Sequence, residues 1–453
     1  MLLLWLAASV ATWVPARWTA QDPQSLELLA GTPINCLLME KVSPEFLAAA
    51  SSRGLAVLLT LRPEADLEAV LHSAVHAGLS GLVLEGAFEQ AQRERARRAL
   101  AQTGLPLIEL PPRAHLRLDR SGPILGSYQG LWPGIRVSEK GVARAAPTGS
   151  PWLETNTGFL RYLRAATDAP IWIANRPPAG PTSMERYLAA VADAAIIGAR
   201  WVVALDPDFD GRLQRREAKA LAAWKRIAEH LKFYEDHPEW RNWKPSGQLA
   251  IIIDGTSGAL LANGIVDMIA VRHVPLRVVP RQRLSQQALQ GARIIVSVDP
   301  AALDEAAKQL LRSFTRAGAT LLSGPPGWKF PAPTVDQITL DEKGIESLGE
   351  IWREVNSVLG RRNLGARLFN VAGMLSHLLA SPDGAQLVLH LANFTSYPVE
   401  NITVHLPGSY TRARLLAPGE PPRELALQQI EEGVAIEIER VSSCAALLLD
   451  CKR

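Results

Sequence analysis

Ile34-Asn35-Cys36-Leu37-Leu38-Met39-Glu40, Leu55-Ala56-Val57-Leu58-Leu59-Thr60-Leu61 and Gly81-Leu82-Val83-Leu84-Glu85 are three short, nearly unbroken apolar runs with helical patterns between them. Runs of this kind suit strands buried on both faces, which belong to parallel sheets covered by crossover helices. Outward from them the alternation extends from Thr32 to about Pro207, with further strands expected at Leu107-Leu110, Ile124-Ser127, Trp152-Thr155, Ile171-Asn175 and Trp201-Asp206. Helices are expected over Pro44-Ser52, Leu67-Ala77, Glu89-Gln102, Gly158-Ala166 and Ser183-Ile197. The connections after Leu110 and Ser127 are too short for a helix. The expectation is therefore an α/β fold, an incomplete TIM-type β/α barrel over residues 32–243.

The pattern then changes. A helix from about Gln214 to Asp236 keeps Leu221, Trp224, Ile227, Leu231 and Tyr234 at helical spacing, which reads Trp224 as core, and Trp240, Trp243 and Pro245 form a linker. Residues 247–330 read as a flavodoxin-like α/β domain with strands Leu249-Asp254, Leu276-Val279, Arg293-Val298 and Thr320-Ser323. A linker with a helix follows over 331–365. Residues 366–453 read as a small antiparallel β-sandwich, with strands at Gln386-Asn393, Asn401-Leu406, Thr411-Leu416, Val434-Glu439 and Cys444-Asp450.

Composition narrows the function. Forty-seven per cent hydrophobic and 21% charged residues describe a folded chain, and 48 Lys+Arg against 45 Asp+Glu leave only +3, without the basic stripe of a nucleic-acid binder. The dense basic run Arg93-Glu94-Arg95-Ala96-Arg97-Arg98 reads as a solvated helix face. Three cysteines, Cys36, Cys444 and Cys451, are an odd set, and the last two point to opposite faces of one extended strand, so all three are expected as thiols. The apolar run Leu2-Val14, then Pro15 and Arg17, reads as a signal peptide over residues 1–20, hence export and no membrane contact after cleavage.

Barrel active sites lie at the C-terminal ends of the strands. The residues there are Glu40, Glu85, Glu109, Glu154, Asn175, Arg176 and Asp206. Glycoside hydrolysis uses two carboxyl groups, one protonated to assist departure and one ionised as nucleophile or base. Glu40 reads as structural, and Glu109 as a partner for Arg113. Glu154, Glu85 and Asp206 are the catalytic candidates. Tyr128, Trp132 and Trp152 could stack on sugar faces, and Asn156, Asn175 and Arg176 could fix hydroxyls, although core packing is the commoner fate of a Trp. After the last strand, Asp206-Pro207-Asp208-Phe209-Asp210-Gly211-Arg212-Leu213-Gln214-Arg215-Arg216-Glu217 fits the spacing of a calcium loop, with Asp206, Asp208, Asp210, the Arg212 carbonyl and Glu217 as ligands. The competing expectation is an acidic stretch leading into a helix N-terminus. The histidines have no zinc spacing, and no other cofactor is required.

The order barrel, flavodoxin-like domain and sandwich resembles bacterial β-galactosidases of the thermophilic type and related barrel glycosidases. The tail Leu389-His390-Leu391-Ala392-Asn393-Phe394-Thr395 through Ala417-Pro418-Gly419 is similar to their C-terminal sandwich. Gln129-Gly130-Leu131-Trp132-Pro133-Gly134, Trp152-Leu153-Glu154-Thr155-Asn156 and Trp201-Val202-Val203-Ala204-Leu205-Asp206 resemble exported bacterial hydrolase-like proteins. The resemblance implies carbohydrate as partner and a middle domain that looks like a class I amidotransferase and serves trimerisation. An amidotransferase needs a cysteine nucleophile, and no Cys lies between Cys36 and Cys444, so a packing or assembly role, with a homo-oligomer through this domain among the expectations, is the default for it. Two functions follow as expectations: a glycoside hydrolase or glycan-processing enzyme, and a non-catalytic carbohydrate-binding or assembly protein on a degenerate barrel.

Overall fold

The computed structural model describes residues 10–65, 78–101, 103–116, 122–135, 153–177, 179–253, 266–267, 269–270, 272–298, 303–323, 353, 357–358 and 363–452. They divide into two compact units, one of residues 1–132, 167–187 and 199–236, the other of 133–166, 188–198 and 237–453.

The first unit is built on parallel strands: β1 (Pro15–Arg17), β2 (Cys36–Met39), β3 (Ala56–Leu61), β4 (Gly81–Glu85), β5 (Leu107–Leu110) and β6 (Leu125–Ser127). β7 (Gly134–Ile135) and β8 (Leu153–Glu154) belong to the second unit, and β9 (Ile171–Ile173) and β10 (Arg200–Trp201) return to the first. β1 to β5 pair in sequence order, and β10-β9-β6 form a second parallel set. The sets meet where Ala16 bridges Val203, Arg17 N–H donating to Val203 O at 2.8 Å. β6 reaches the end of β5 through Ser127 Oγ, which donates to Pro111 O at 2.7 Å. Only glycine fits at position 126, since a Cβ there would lie 2.5 Å from Trp172 O and 2.7 Å from Leu110 Cδ2.

Among the described residues of this unit eight parallel strands therefore form, but they are not the eight the sequence suggests. β1 stands in place of Trp152-Thr155. Val10, Trp13, Val14, Ala16 and Trp18 are buried, and the Trp18 indole donates to Ser25 Oγ at 3.1 Å. Val10 and Trp13 join Cys36, Leu38, Leu58, Val83, Ile108 and Trp172 in one core. A cleavage near residue 20 would remove this strand. Helices Pro44–Ser52, Gln90–Ala101, Pro207–Gln214 and Ala218–Glu235 accompany the sheet. Two start at a side-chain cap followed by proline, Ser43-Pro44 and Asp206-Pro207, the combination that satisfies an orphan N–H and presets φ. The expected 214–236 helix begins later, because Arg216 adopts a φ of 56° and separates it from its predecessor. Trp224 is core, as its spacing suggests, and its indole donates to Leu28 O at 2.7 Å.

In the second unit, β7 and β8 make a two-stranded antiparallel ribbon leading into the helix Thr157–Ala166. Parallel strands β12 (Leu249–Ile253), β13 (Leu276–Pro280), β14 (Ile294–Ser297) and β15 (Thr320–Ser323) take the order β13-β12-β14-β15, the order with which an open doubly wound sheet begins. The remainder of this unit has two antiparallel sheets. One is formed by β11 (Lys244–Pro245), β17 (Met374–Ala380), β18 (Gln386–Asn393), β24 (Cys444–Cys451), β20 (Tyr410–Leu416) and β21 (Arg423–Leu425), in that order. The other is β16 (Arg367–Phe369), β19 (Val399–Pro407), β23 (Gly433–Val441) and β22 (Gln428–Ile430). Their inward residues, among them Leu389, Leu391, Ile402, Val404, Ile436, Ile438 and Leu447, form one core. The expected linker at Pro245 is instead an edge strand, a position that tolerates proline because no ladder donor is lost. Most of the expected 331–365 linker and the Leu67-Ala77 helix lie outside the described residues.

Candidate functional site

In the first unit the C-terminal ends of β1 to β4 carry an alternating charge network. Arg17 Nη2 donates to Glu85 Oε1 at 2.8 Å and Arg62 Nη1 to the same oxygen at 2.5 Å, while Arg62 Nη2 reaches Glu40 Oε1 at 3.0 Å. Residues two apart on a strand share a face, so Thr60 and Arg62 continue the inward row of Leu58, and Glu85 that of Val83. The network thus stands above the apolar core. Glu85 is wholly buried, and its Oε2 and Thr60 Oγ1 have no hydrogen-bond partner among the described residues. Glu109 pairs with Arg97 and, at 4.0 Å, with Arg93, so the partner is the helix's basic run rather than Arg113.

Around β9 and β10 the candidates also meet protein. Trp132 is 8% exposed and packs edge-on against Tyr187 and Trp201, with ring centroids at 5.4 and 5.6 Å. Asn175 is buried, accepting from Trp201 Nε1 at 3.1 Å and donating to Leu131 O at 3.4 Å. Tyr128 is partly buried against the sheet core, whereas Arg176 is exposed. Trp132 is therefore core in this structure, and Arg176 is solvent-facing. Trp152 lies outside the described residues.

Asp206 caps the Pro207–Gln214 helix. Its Oδ1 accepts from Phe209 N–H at 2.9 Å, and its Oδ2 from Tyr187 Oη at 2.6 Å and Thr182 N–H at 3.1 Å. Burial opposes the charge, but these bonds outweigh it and hold the carboxyl below its usual range. The rest of the proposed calcium set disperses. Asp208 pairs with Arg212 at 2.9 Å, Asp210 accepts from Thr19, and Glu217 pairs with Arg215 at 2.9 Å. Among the described residues no three acidic, His or Cys side chains converge as a metal site. Asp208 and Asp210 lie in the first turn of the helix, Asp206 at its cap and Glu217 beyond its end, each with a protein partner, so the residues as placed do not fit a calcium loop.

The second unit holds Glu154 and Asn156. Glu154 ends the antiparallel ribbon, not a barrel strand, which removes the strand-end argument for it; it is partly exposed. Asn156 is buried, with Nδ2 donating to Asp193 at 2.8 Å. Asp193 also accepts from Thr155 Oγ1, and Asp267 accepts from Thr157 Oγ1 at 2.9 Å and Gly158 N–H at 2.7 Å. Sequence reasoning passed over both aspartates, because each lies in a helical pattern far in sequence from the residues it holds. Glu85 and Glu154 fall in different units.

No family model matches the chain, and no curated protein matches it. Solved structures do. An α-L-fucosidase isoenzyme 2 from Paenibacillus thiaminolyticus is similar over 97% of this chain and 100% of its own, at 11% identity and a TM-score of 0.60. A β-galactosidase from the psychrophilic Marinomonas ef1 covers 97% and 100% at 10% identity and a TM-score of 0.55. A catalytic mutant of a GH42 β-galactosidase from G. stearothermophilus covers 97% and 98%, again at 10% identity and 0.55. The chain thus has a glycoside hydrolase-like fold, parallel α/β strands followed by antiparallel sheets, along nearly its whole length.

Proposed function

We propose that the protein is a glycan-processing protein of the barrel glycoside hydrolase type. One observation carries this reading: polar groups stand at the C-terminal ends of the parallel strands, in a chain that follows glycosidase structures from end to end. That is where barrel enzymes place their chemistry. In this reading Glu85, at the end of a parallel strand, serves as the ionised carboxylate with Arg176 toward the sugar, and Glu154, partly exposed, is proposed separately as a proton donor.

Export belongs to the same proposal. So does a packing or assembly role for the flavodoxin-like middle sheet; a monomer by light scattering would remove that part.

The second reading, a carbohydrate-binding protein on a barrel that has lost its catalytic pair, is favoured by the burial of Glu85 between two guanidinium groups. Aryl glycosides and a glycan array on the same preparation separate the two. For an enzyme, Glu154→Gln should cut turnover of natural substrates far more than of activated ones, and Glu85→Gln should cut both. Binding without cleavage selects the second reading, and neither binding nor cleavage rejects the carbohydrate assignment.

A further inference from the structure

Four consecutive residues at the start of the Thr157–Ala166 helix are held by two carboxylates from elsewhere in the second unit. Asp193, on the helix Met184–Ala195, takes Thr155 Oγ1, Asn156 N–H at 3.0 Å and Asn156 Nδ2 at 2.8 Å. Asp267, on a helical turn between β12 and β13, takes Thr157 Oγ1 and Gly158 N–H on one oxygen. Thr155, Asn156, Thr157 and Asp193 are all buried. The dipole of a helix N-terminus favours an anion there. Burial and the nearby charge of Asp193 oppose a second negative charge at Asp267.

The counter-charge is Arg161, one turn further along. It is buried, donates from Nη2 to Ser376 O at 3.1 Å, and has Nη1 2.5 Å from His377 Nδ1. It forms no ion pair within 4 Å among the described residues, and burial lowers it to about 10. Asp193 and Arg161 are thus the charged groups facing Asp267, with His377 on β17 behind Arg161.

We propose that Asp193 and Asp267 form a proton-linked latch at this helix N-terminus, closed while the pair carries one negative charge and loosened when both are ionised. Because the β7–β8 ribbon runs directly into Thr155, the latch also governs how firmly that ribbon is held. Asp267 is the member that titrates. Burial of its carboxyl, with the charge of Asp193, pushes it up to about 7, against the lowering bonds from Thr157 and Gly158 and the charge of Arg161. Its folded value therefore lies above its unfolded one, and the folded state holds the extra proton. The stability this contributes is complete below the unfolded value of about 4 and is lost as pH rises through about 7.

Buried histidines in the same unit act the other way. Burial lowers His273 to about 4 and His390 to about 3, and moves His377 well down, so their contribution is complete above about 6.5 and fades in acid. Only a difference between wild type and variant isolates the latch.

The test is thermal melting of the full chain from about pH 5 to about pH 8 for wild type, Asp267→Asn and Asp193→Asn. One proton of linkage corresponds to about 3 °C of Tm per pH unit for a unit of this size. Between about pH 5 and 7 the wild type should lose that much relative to Asp267→Asn. Hydrogen exchange at residues 157–161, corrected for its intrinsic pH dependence, should speed up in the wild type and not in the variant. Asp193→Asn removes the like charge, so its loss should finish at lower pH. Parallel melting profiles for wild type and Asp267→Asn would overturn the proposal. Should Asp267→Asn fail to fold, an Asp193→Asn profile superimposable on the wild type would overturn it instead.

Discussion

Glu85 and Asp267 are both carboxylates drawn into the protein, and their surroundings are opposites. Glu85 meets two guanidinium groups on one oxygen, within a set of two positive and two negative side chains. Asp267 meets a hydroxyl and an amide N–H, with another carboxylate close enough to act on it. In the first region opposite charges compensate one another across neighbouring strand ends; in the second, helix-end donors are shared between two like charges. The second arrangement responds to a proton. Similar burial therefore has different consequences, decided by whether the neighbours carry charge or only dipoles.

The largest break in this comparison comes from removing residues 1–20. That deletes Arg17, one of the two cations on Glu85, together with β1 and the buried side chains of Trp13, Val14 and Trp18. Truncating one buried Trp alone costs about 3–5 kcal/mol, a large share of the 5–15 kcal/mol by which domains are stable. The truncated chain should be insoluble or lack a cooperative melting transition. A soluble, cooperatively folding product would show that β1 is dispensable.

A sharper comparison exchanges one atom in each region. Glu85→Gln leaves Arg17 and Arg62 without their shared counter-charge, and breaking a largely buried pair in this way costs about 3 kcal/mol. Asp267→Asn copies the shape of a protonated Asp, so below about pH 5 it should cost no more than about 1 kcal/mol. Denaturant melts of both variants at acid and neutral pH measure the contrast. Equal losses at both pH values would show that the two carboxylates differ less than their neighbours suggest.

How far the sequence led can be seen strand by strand. Gly81-Leu82-Val83-Leu84-Glu85 was legible because a strand buried on both faces must be apolar throughout. The sandwich strands were legible through alternation. β1 was not, since Pro15-Ala16-Arg17 is three residues long and its apolar approach, Leu2-Val14, has the composition of a signal peptide. Trp152-Thr155 looked like a barrel strand because a short apolar piece carries no mark of parallel or antiparallel pairing. At the candidate site, residue types at strand ends could be read, but partners could not. That Glu85 is shared by Arg17 and Arg62, or that Asp267 reaches back to Thr157, depends on side chains brought together from distant parts of the chain.

The smallest effect is expected at a third acidic region, Asp206 to Glu217. If its spacing made a calcium loop, chelation would lower Tm and added calcium would restore it, since a ligand bound only by the native state stabilises by mass action. The structure gives these carboxylates other partners: Asp206 serves the helix N-terminus and Tyr187, Asp208 pairs with Arg212, and Glu217 with Arg215. Calcium would have to unwind the Pro207–Gln214 helix and release the Asp206 cap, a change of about 1 kcal/mol for the cap alone. Chelator and millimolar calcium should therefore leave the melting curve unchanged within its scatter. Asp206→Ala should still lower it by the value of the cap, whether or not calcium is present. A calcium-dependent rise in Tm that disappears in Asp208→Ala would restore the loop and place the region beside Asp267 as one whose charge is governed by a ligand.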